Sequence, residues 1–407
     1  MKDLGTTEIL KSLEHKQEQH AALLKKVEKT AARLDRRKVK LRALESTIAD
    51  LERRMAGPRK LRGGGKGPVA KRLRRAQLIF NPASGREEEK NAIRLSQIVC
   101  GLRTHGIEAA IGLKTSGKAA RALARDAVRD EIPLVIVAAG DGTIGDVASQ
   151  LVGTSTVMGL VPVGTMNNVA RSLGIPLDID AACALIGMGT SRHIDVGRVH
   201  ASLSKHDEYF LECAGIGLSA IAALGGQAYE KRRWRVLPRA IRRFFDSKLG
   251  EMRIQLDDTE IQASTRLVTV SNAPLMANNM LGAPEAKMDD GFLDVSVYDG
   301  MGDTALISHF MAAASHKPDD LKSYRARRVR ITTEHPEPAH ADMAIAAGNT
   351  VLEIEVLAGA LTMIVGNGIG LTIPVEAAPN APTFATDPPI EDGVNDEAKP
   401  EPAAEQG

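Results

Sequence analysis

Two patterns of hydrophobic and polar positions divide the middle of the chain. From residue 76 to residue 195, short apolar runs alternate with stretches whose apolar residues recur at helical spacing. The runs predict strands at 77–80, 108–113, 134–138 and 159–161. The stretches predict helices at 87–105 and 118–129, and helices that begin at residues 143 and 167. Alternating strands and helices form parallel sheets with covered faces, so we expect an open parallel α/β domain at 76–195.

After residue 195 the pattern changes to short apolar strands separated by turns, with few helical stretches. The predicted strands are 209–213, 253–256, 265–270, 293–297, 329–332 and 352–357. Strands that follow one another through turns are typical of a sandwich. We therefore expect a β-sandwich domain at 196–375.

Residues 356–375 carry no charge and are about as long as a membrane span. A membrane helix is one interpretation, and two buried strands around a turn is the other. Four glycines and Asn367 interrupt the segment, which favours the strands.

Both ends of the chain differ from this body. Residues 1–56 are rich in helix-forming residues, and their apolar positions mostly recur at three- and four-residue steps. This pattern predicts an imperfect coiled coil through which a homo-oligomer could form, and the alternative is a charged helix that packs on the body or is partly disordered. Residues 57–75 predict a flexible basic linker, and residues 376–407 predict a disordered acidic tail.

A formal net charge of +2 hides a strong asymmetry. Residues 1–75 contain 22 Lys and Arg against 9 Asp and Glu, whereas residues 376–407 contain 1 against 8. A basic arm suits nucleic acid, an anionic membrane or the acidic tail of the chain itself. An aromatic content of 3% argues against the base-stacking platforms of single-strand-binding proteins, and we do not expect nucleic acid as the partner.

The three cysteines show neither disulfide nor zinc spacing, and the amino terminus lacks the apolar stretch of a signal peptide. Both features favour a reducing, cytoplasmic location.

Three glycine-containing turns, at 81–85, 140–143 and 164–168, each follow a predicted strand of the first domain. The carboxyl ends of parallel strands lie at one edge of a sheet, so these turns can converge on one crevice. Glycine lets the backbone approach a ligand closely, and the amides of the following helices can hold phosphate oxygens. Each turn alone is ordinary, but together they predict a nucleotide site.

Asp141 stands between two glycines and brings negative charge to the place where phosphates would bind. A Mg²⁺ ion between the carboxylate and the phosphates would resolve this conflict. The alternative is that Asp141 caps the helix that begins near Thr143.

These motifs resemble the diacylglycerol kinase catalytic-domain family, which includes bacterial lipid kinases and the sphingosine and ceramide kinases. The resemblance covers residues 77–370 and rests on the three turns, on Ser271-Asn272-Ala273-Pro274 and on the run 289–295. It implies two domains, ATP, Mg²⁺ and phosphoryl transfer to a lipid hydroxyl. The residues that it places around ATP are Asn81, Pro82, Ser84, Gly85, Thr115, Gly140, Asp141, Gly142, Thr143, Gly164, Thr165 and Asn167.

The resemblance also implies that Asp290 is the general base, whereas the Asp-Gly dipeptide alone indicates a hairpin turn. This chain departs from the family at Asn168, where an acidic residue is common. If that position helps to organise the metal, the loss of its charge either weakens the electrostatics of the Mg²⁺ site or moves metal ligation to Asp141 and Asp146. The acidic element near the carboxyl end of the family has its nearest remnant in residues 341–343 of this chain.

Residues 231–250 combine arginines with an apolar stripe and predict a basic amphipathic helix. Such a helix can lie in an anionic membrane interface or can pack its apolar stripe on the sandwich. The predicted lipid contacts are Trp234, Arg235, Ile241, Phe244 and Phe245.

Three functions follow from these features. The first is an ATP- and Mg²⁺-dependent kinase that phosphorylates diacylglycerol or a related lipid at a membrane surface. The second is an NAD kinase, which shares the GDGT turn. The third is a non-catalytic protein that binds nucleotide or lipid on the same scaffold.

Overall fold

The structure is a computed structural model that describes most of the body of the chain. The described residues are 73–84, 91–201, 207–217, 249–276, 280–315, 321–342 and 344–366, together with the isolated positions 42 and 46. The predicted arm, linker, amphipathic helix and acidic tail lie outside these residues, apart from the two isolated positions and residues 73–75. Their predictions stay predictions.

The first domain is a parallel sheet between helices, as the alternating pattern predicts. Its strands are β1 (Arg75–Phe80), β2 (Glu108–Leu113), β3 (Leu134–Ala139) and β4 (Val157–Pro162). Its helices are α1 (Asn91–Thr104), α2 (Gly117–Arg129), α3 (Asp141–Leu151), α4 (Asn168–Ser172) and α5 (Ile179–Met188). The strands pair in the order β2-β1-β3-β4, all parallel.

Local sequence explains these elements. Every residue of β3 is buried, because helices cover both faces of a parallel sheet. Ser116 caps α2 by accepting a hydrogen bond from the amide of Ala119 at 3.1 Å. Asp178 caps α5 in the same way, through the amide of Ala181 at 2.9 Å.

The second domain is built from antiparallel strands. Its elements are β5 (Ser191–Ala201), β6 (Glu208–Phe210), β7 (Cys213–Gly217), β8 (Gly250–Leu256), β9 (Thr259–Thr265), β10 (Leu267–Ser271), β11 (Leu275–Met276), β12 (Met280–Leu281), β13 (Leu293–Val297), α6 (Asp303–Ala314), β14 (Ser323–Ala326), β15 (Arg328–Ala341) and β16 (Ala344–Ile364). Apolar side chains of these strands form a core that contains Phe210, Val270 and Ile354.

The long strand β16 joins the two domains. It pairs antiparallel with β5 and β15 and then runs parallel to β4, where Met363 faces Met158. The predicted boundary at residue 195 falls inside β5. The uncharged segment that begins at residue 356 is strand as far as residue 364, and the predicted turn after it lies largely outside the described residues. No helix in the described part of the chain has the length and apolarity needed to cross a membrane.

Candidate active site

A cleft of about 710 Å³ lies where the carboxyl ends of the parallel strands face the second domain. One wall consists of the turns and helix starts that follow β1 to β4. The other wall consists of residues 207–209 and residues 341, 342 and 344. The crevice expected from the three glycine turns is therefore formed between the two domains.

The structure brings most of the predicted nucleotide residues together. Those that line the cleft are Asn81, Ser84, Gly140, Asp141, Gly142, Thr143, Gly164 and Thr165. Pro82 and Asn167 belong to two of the glycine turns, and Thr115 follows β2, but none of the three lines the cleft. Gly85 lies outside the described residues. The predicted metal ligand Asp146 also lines the cleft.

Two of the glycine turns touch each other through their backbones. A Cβ atom on Gly164 would stand 2.4 Å from the Cα atom of Gly140 and 2.7 Å from Oδ1 of Asn167. No side chain fits at that separation, so glycine is required there for packing and not only for a ligand. Asn167 adopts a left-handed conformation (φ 55°) and accepts a hydrogen bond from the amide of Gly164 at 3.0 Å.

The Thr143 hydroxyl links three strand ends. It accepts a hydrogen bond from Nδ2 of Asn81 at 3.3 Å and another from Nζ of Lys114 at 2.7 Å. Sequence reasoning missed Lys114. The available signal was its position directly after a predicted strand and beside Thr115.

Asp141 is buried at the start of α3, and its carboxylate points toward the amino terminus of α4. Its Oδ1 atom accepts a hydrogen bond from the amide of Val169 at 3.2 Å. Burial raises the pKa of Asp141. Hydrogen bonds from backbone amides oppose this rise, and the largest of these effects comes from the amide of Val169. Asp141 therefore caps α4, whereas the alternative considered from sequence was a cap on the helix that begins near Thr143. This contact connects the second glycine turn to the third.

Asp146 lies one turn further along α3. Its carboxylate accepts a hydrogen bond from Nε of Arg121 on α2 at 3.0 Å. Gly117 makes room for this carboxylate, because a Cβ atom there would stand 2.8 Å from Oδ2 of Asp146. A metal ligand at Asp146 would therefore share its carboxylate with a guanidinium.

Asp342 is one of three carboxyl residues, with Asp207 and Glu208, that line the cleft although sequence reasoning did not place them in the site. It has a left-handed backbone (φ 45°) between β15 and β16. Its carboxylate accepts hydrogen bonds from the amides of Leu211, Glu212 and Cys213 at 2.8, 2.9 and 3.1 Å. The pKa of Asp342 is raised to about 6, and burial is the main cause. The three amides oppose this rise, and the nearby charge of Asp141 adds to it. A carboxylate with such a pKa is suited to accept a proton near neutral pH.

Asp290 does not line the cleft. Its carboxylate pairs with Arg325 and accepts a hydrogen bond from the amide of Phe292 at 3.1 Å. Gly291 has a positive φ of 74°, and its amide donates to Asp195 at 2.6 Å. This is the turn geometry that the Asp-Gly dipeptide indicates. The assignment of the base to Asp290 stays a prediction.

The charge of the cleft fits a divalent cation. Among the described residues that line it, two are cationic and five carry carboxyl groups. A polyphosphate would meet net repulsion there unless a cation accompanied it. The described residues contain no group of three Asp, Glu, His or Cys side chains arranged to hold a metal. Mg²⁺ fits this donor set, because it commonly binds through one or two carboxylates together with substrate phosphates and water.

The structure combines a parallel α/β domain with a β-sandwich, and the cleft between the two domains carries glycine turns, hydroxyls and carboxylates. These features define the class of two-domain phosphotransferases. Comparison with known proteins gives the family. Residues 75–199 match the diacylglycerol kinase catalytic domain. Residues 217–365 match the YegS C-terminal NAD kinase beta sandwich-like domain.

Relatives and solved structures agree with these matches. The chain is 31% identical to a diacylglycerol kinase of Bacillus subtilis (strain 168) over 238 residues, which cover 55% of this chain and 74% of that protein. A diacylglycerol kinase of Staphylococcus saprophyticus (strain ATCC 15305) is 28% identical over 255 residues, which cover 60% of this chain and 78% of that protein. A crystal structure of a diacylglycerol kinase from Bacillus anthracis str. Sterne has the same fold, with a TM-score of 0.57, 22% identity and coverage of 73% of this chain and 98% of that one.

The chain therefore belongs to the diacylglycerol kinase catalytic-domain family and is a kinase of that family. The predicted family and the predicted fold class are both confirmed.

Proposed function

We propose that the protein is an ATP- and Mg²⁺-dependent lipid kinase that transfers the γ-phosphoryl group to the hydroxyl of diacylglycerol or a related lipid at a membrane surface. The observation that carries this proposal is the cleft, in which the glycine turns of one domain face Asp342 of the other. Family membership supports phosphoryl transfer, and the relatives named diacylglycerol kinase support a lipid alcohol as acceptor.

Each part of the cleft has a role in this reaction. The amides and hydroxyls of the three turns bind the nucleotide phosphates, because glycine allows close backbone approach. Asp141 would hold Mg²⁺, with phosphate oxygens and water as the other ligands, and the ion would neutralise charge on the phosphates. Asp146 is a second carboxylate within the same cleft.

Asp342 accepts the proton of the attacking hydroxyl. As the lipid oxygen bonds to the γ-phosphorus, the bond from that phosphorus to the bridging oxygen breaks, and ADP leaves with the bond electrons. The three backbone amides fix the carboxylate of Asp342 in place, so little reorganisation accompanies the transfer.

The membrane part of the proposal rests on sequence. Residues 231–250 alternate arginines with Trp234, Ile241, Phe244 and Phe245, a composition that suits an anionic interface. Cosedimentation with anionic vesicles tests this part: replacing Trp234 and Phe244 by alanine should weaken vesicle binding without changing ATP binding.

A lipid panel tests the activity. Purified protein, ATP labelled in the γ-phosphate and mixed vesicles should yield a labelled lipid phosphate, and chelation of divalent cations should abolish it. Phosphorylation of NAD without lipid would contradict the proposal in favour of an NAD kinase. ATP binding without turnover on any lipid would contradict it in favour of a non-catalytic binding protein.

A further inference from the structure

Lys114 reaches the cleft from the carboxyl end of β2. Its Nζ atom donates a hydrogen bond to the Thr143 hydroxyl at 2.7 Å, and its side chain lines the same cleft as the glycine turns. The backbone amide of Lys114 donates to the carbonyl of Phe80 at 2.8 Å, which fixes this strand end against β1. The ammonium group is therefore held at the edge of the sheet where nucleotide phosphates would bind.

The Thr143 hydroxyl is well placed to orient this lysine. A hydroxyl oxygen has two lone pairs and one proton. Lys114 and Asn81 donate to the oxygen, so both lone pairs are engaged and the proton is directed to a third group. A phosphate oxygen in the cleft can accept that proton while the ammonium group of Lys114 contacts the same phosphate.

The two cations among the described residues that line the cleft differ in position. Nε of Arg121, on α2, is bound to the carboxylate of Asp146 at 3.0 Å. Nζ of Lys114 donates to the hydroxyl of Thr143, so its ammonium group lies at the second glycine turn itself. The described lining is rich in carboxyl groups, so a cation next to the glycine turns is the protein group that can attract a polyanion most directly.

From this geometry we propose that Lys114 is a nucleotide-binding residue that contacts the terminal phosphate oxygens, with Thr143 positioning its ammonium group. The inference rests on the proposed function. It adds to that function a residue that recognises the phosphate chain of the nucleotide and not its nucleoside. A point charge interacts more strongly as negative charge accumulates on the ligand, so the contribution of Lys114 increases from AMP to ADP to ATP.

Lys118 offers a matched control. It lies four residues further along, is exposed on α2 and does not line the cleft. We expect Lys114→Gln to weaken the binding of a non-hydrolysable ATP analogue by about tenfold or more, since a hydrogen bond to a charged group is being removed. Lys118→Gln should change the affinity less than about twofold, because a single exposed charge is screened. Adenosine should bind equally to all three proteins.

Two further measurements separate a phosphate contact from a merely structural role. Lys114→Arg retains the charge and should restore most of the affinity. The affinity of the unaltered protein for the ATP analogue should fall with added salt more steeply than that of Lys114→Gln. Equal loss of ATP-analogue and adenosine binding, or equal behaviour of Lys114→Gln and Lys118→Gln, would overturn the inference alone. If the unaltered protein binds no nucleotide, the proposed function is overturned together with it.

Discussion

The side-chain amide of Asn168 donates a hydrogen bond to the carboxylate of Glu212 at 2.8 Å, and both residues are buried. Asn168 is the first residue of α4, and Glu212 precedes β7 in the second domain. The family resemblance places an acidic residue where this chain has Asn168. An amide can donate to Glu212, whereas a carboxylate there would face another carboxylate. The departure from the family is therefore matched by a partner across the domain boundary.

Asn168→Asp should destabilise the protein. The change replaces a donor by a second carboxylate beside Glu212 and next to Val169, whose amide donates to Asp141. We expect the free energy of unfolding at neutral pH to fall by about 1–3 kcal/mol, the usual cost of leaving a buried polar group without its partner. Urea unfolding of the two proteins measures the difference.

Glu212→Gln supplies the control for this pair. In the background of Asn168→Asp, the glutamine amide can donate to the new carboxylate, so the double variant should be more stable than Asn168→Asp alone. A double-mutant cycle isolates this coupling. Strictly additive effects of the two substitutions would show that the contact has no energetic role.

The sequence predicts the fold well because apolar runs bounded by turn residues mark the strands of both domains. The apolar run of β3 is buried on both faces, and glycine turns follow β1, β3 and β4. It does not predict that Asp342 and Asp141 share a cleft, because that depends on how β15 and β7 pair. The sequence does not predict that Lys114 reaches the cleft, for a related reason. Its partner Thr143 lies 29 residues away, on the helix that follows a different strand.

Gly164→Ala should disrupt the nucleotide site. The added Cβ atom would lie 2.4 Å from Cα of Gly140, so one of the two turns has to move. Overpacking of this kind typically costs about 1–3 kcal/mol, and here it also displaces the turns that line the cleft. We expect a lower midpoint of thermal unfolding and a loss of ATP binding. Gly250→Ala is the matched control, since its Cβ would have open space. Retained ATP affinity in Gly164→Ala would mean that the contact of the two turns is unimportant.

Activity should depend on the ionisation of Asp342. Its pKa is about 6, so the basic form predominates above that pH, and kcat/KM should rise as the pH increases through about 6. The effect on stability has the opposite sign. A raised folded-state pKa favours the folded state at low pH, and this contribution is lost as the pH rises from the ordinary value of 3.8 through about 6. A pH series of initial rates, with parallel unfolding measurements, tests both statements.

Comparison of two asparagine variants distinguishes the candidate bases. Asp342→Asn should lower kcat by about 10²- to 10⁴-fold, the usual contribution of a general base, and should remove the rise near pH 6. Asp290→Asn should retain the pH profile, because Asp290 pairs with Arg325 outside the cleft. If Asp290→Asn loses the activity and Asp342→Asn keeps it, the assignment made from sequence is correct and Asp342 is not the base.

The carboxylates of Asp141 and Asp146 should differ in their effect on the metal. Asp141 lies between two glycines of the nucleotide turn, whereas Asp146 is engaged by Arg121 at 3.0 Å. We expect Asp141→Asn to raise the Mg²⁺ concentration for half-maximal activity by about tenfold or more, because Mg²⁺ relies on the few carboxylates that it contacts. Asp146→Asn should leave it within about twofold and alter stability by less than about 1 kcal/mol, as for other partly exposed ion pairs.

Asp126→Asn provides a reference for the loss of such an ion pair, because Asp126 pairs with Arg129 at 2.8 Å on the same helix as Arg121, outside the residues that line the cleft. If Asp146 does nothing more than anchor Arg121, then Asp146→Asn and Asp126→Asn should share the same Mg²⁺ dependence in a titration of initial rates. A shift in Asp146→Asn as large as that in Asp141→Asn would instead identify Asp146 as a metal ligand. Arg121 and the metal would then share this carboxylate, since the guanidinium occupies only one of its two oxygens.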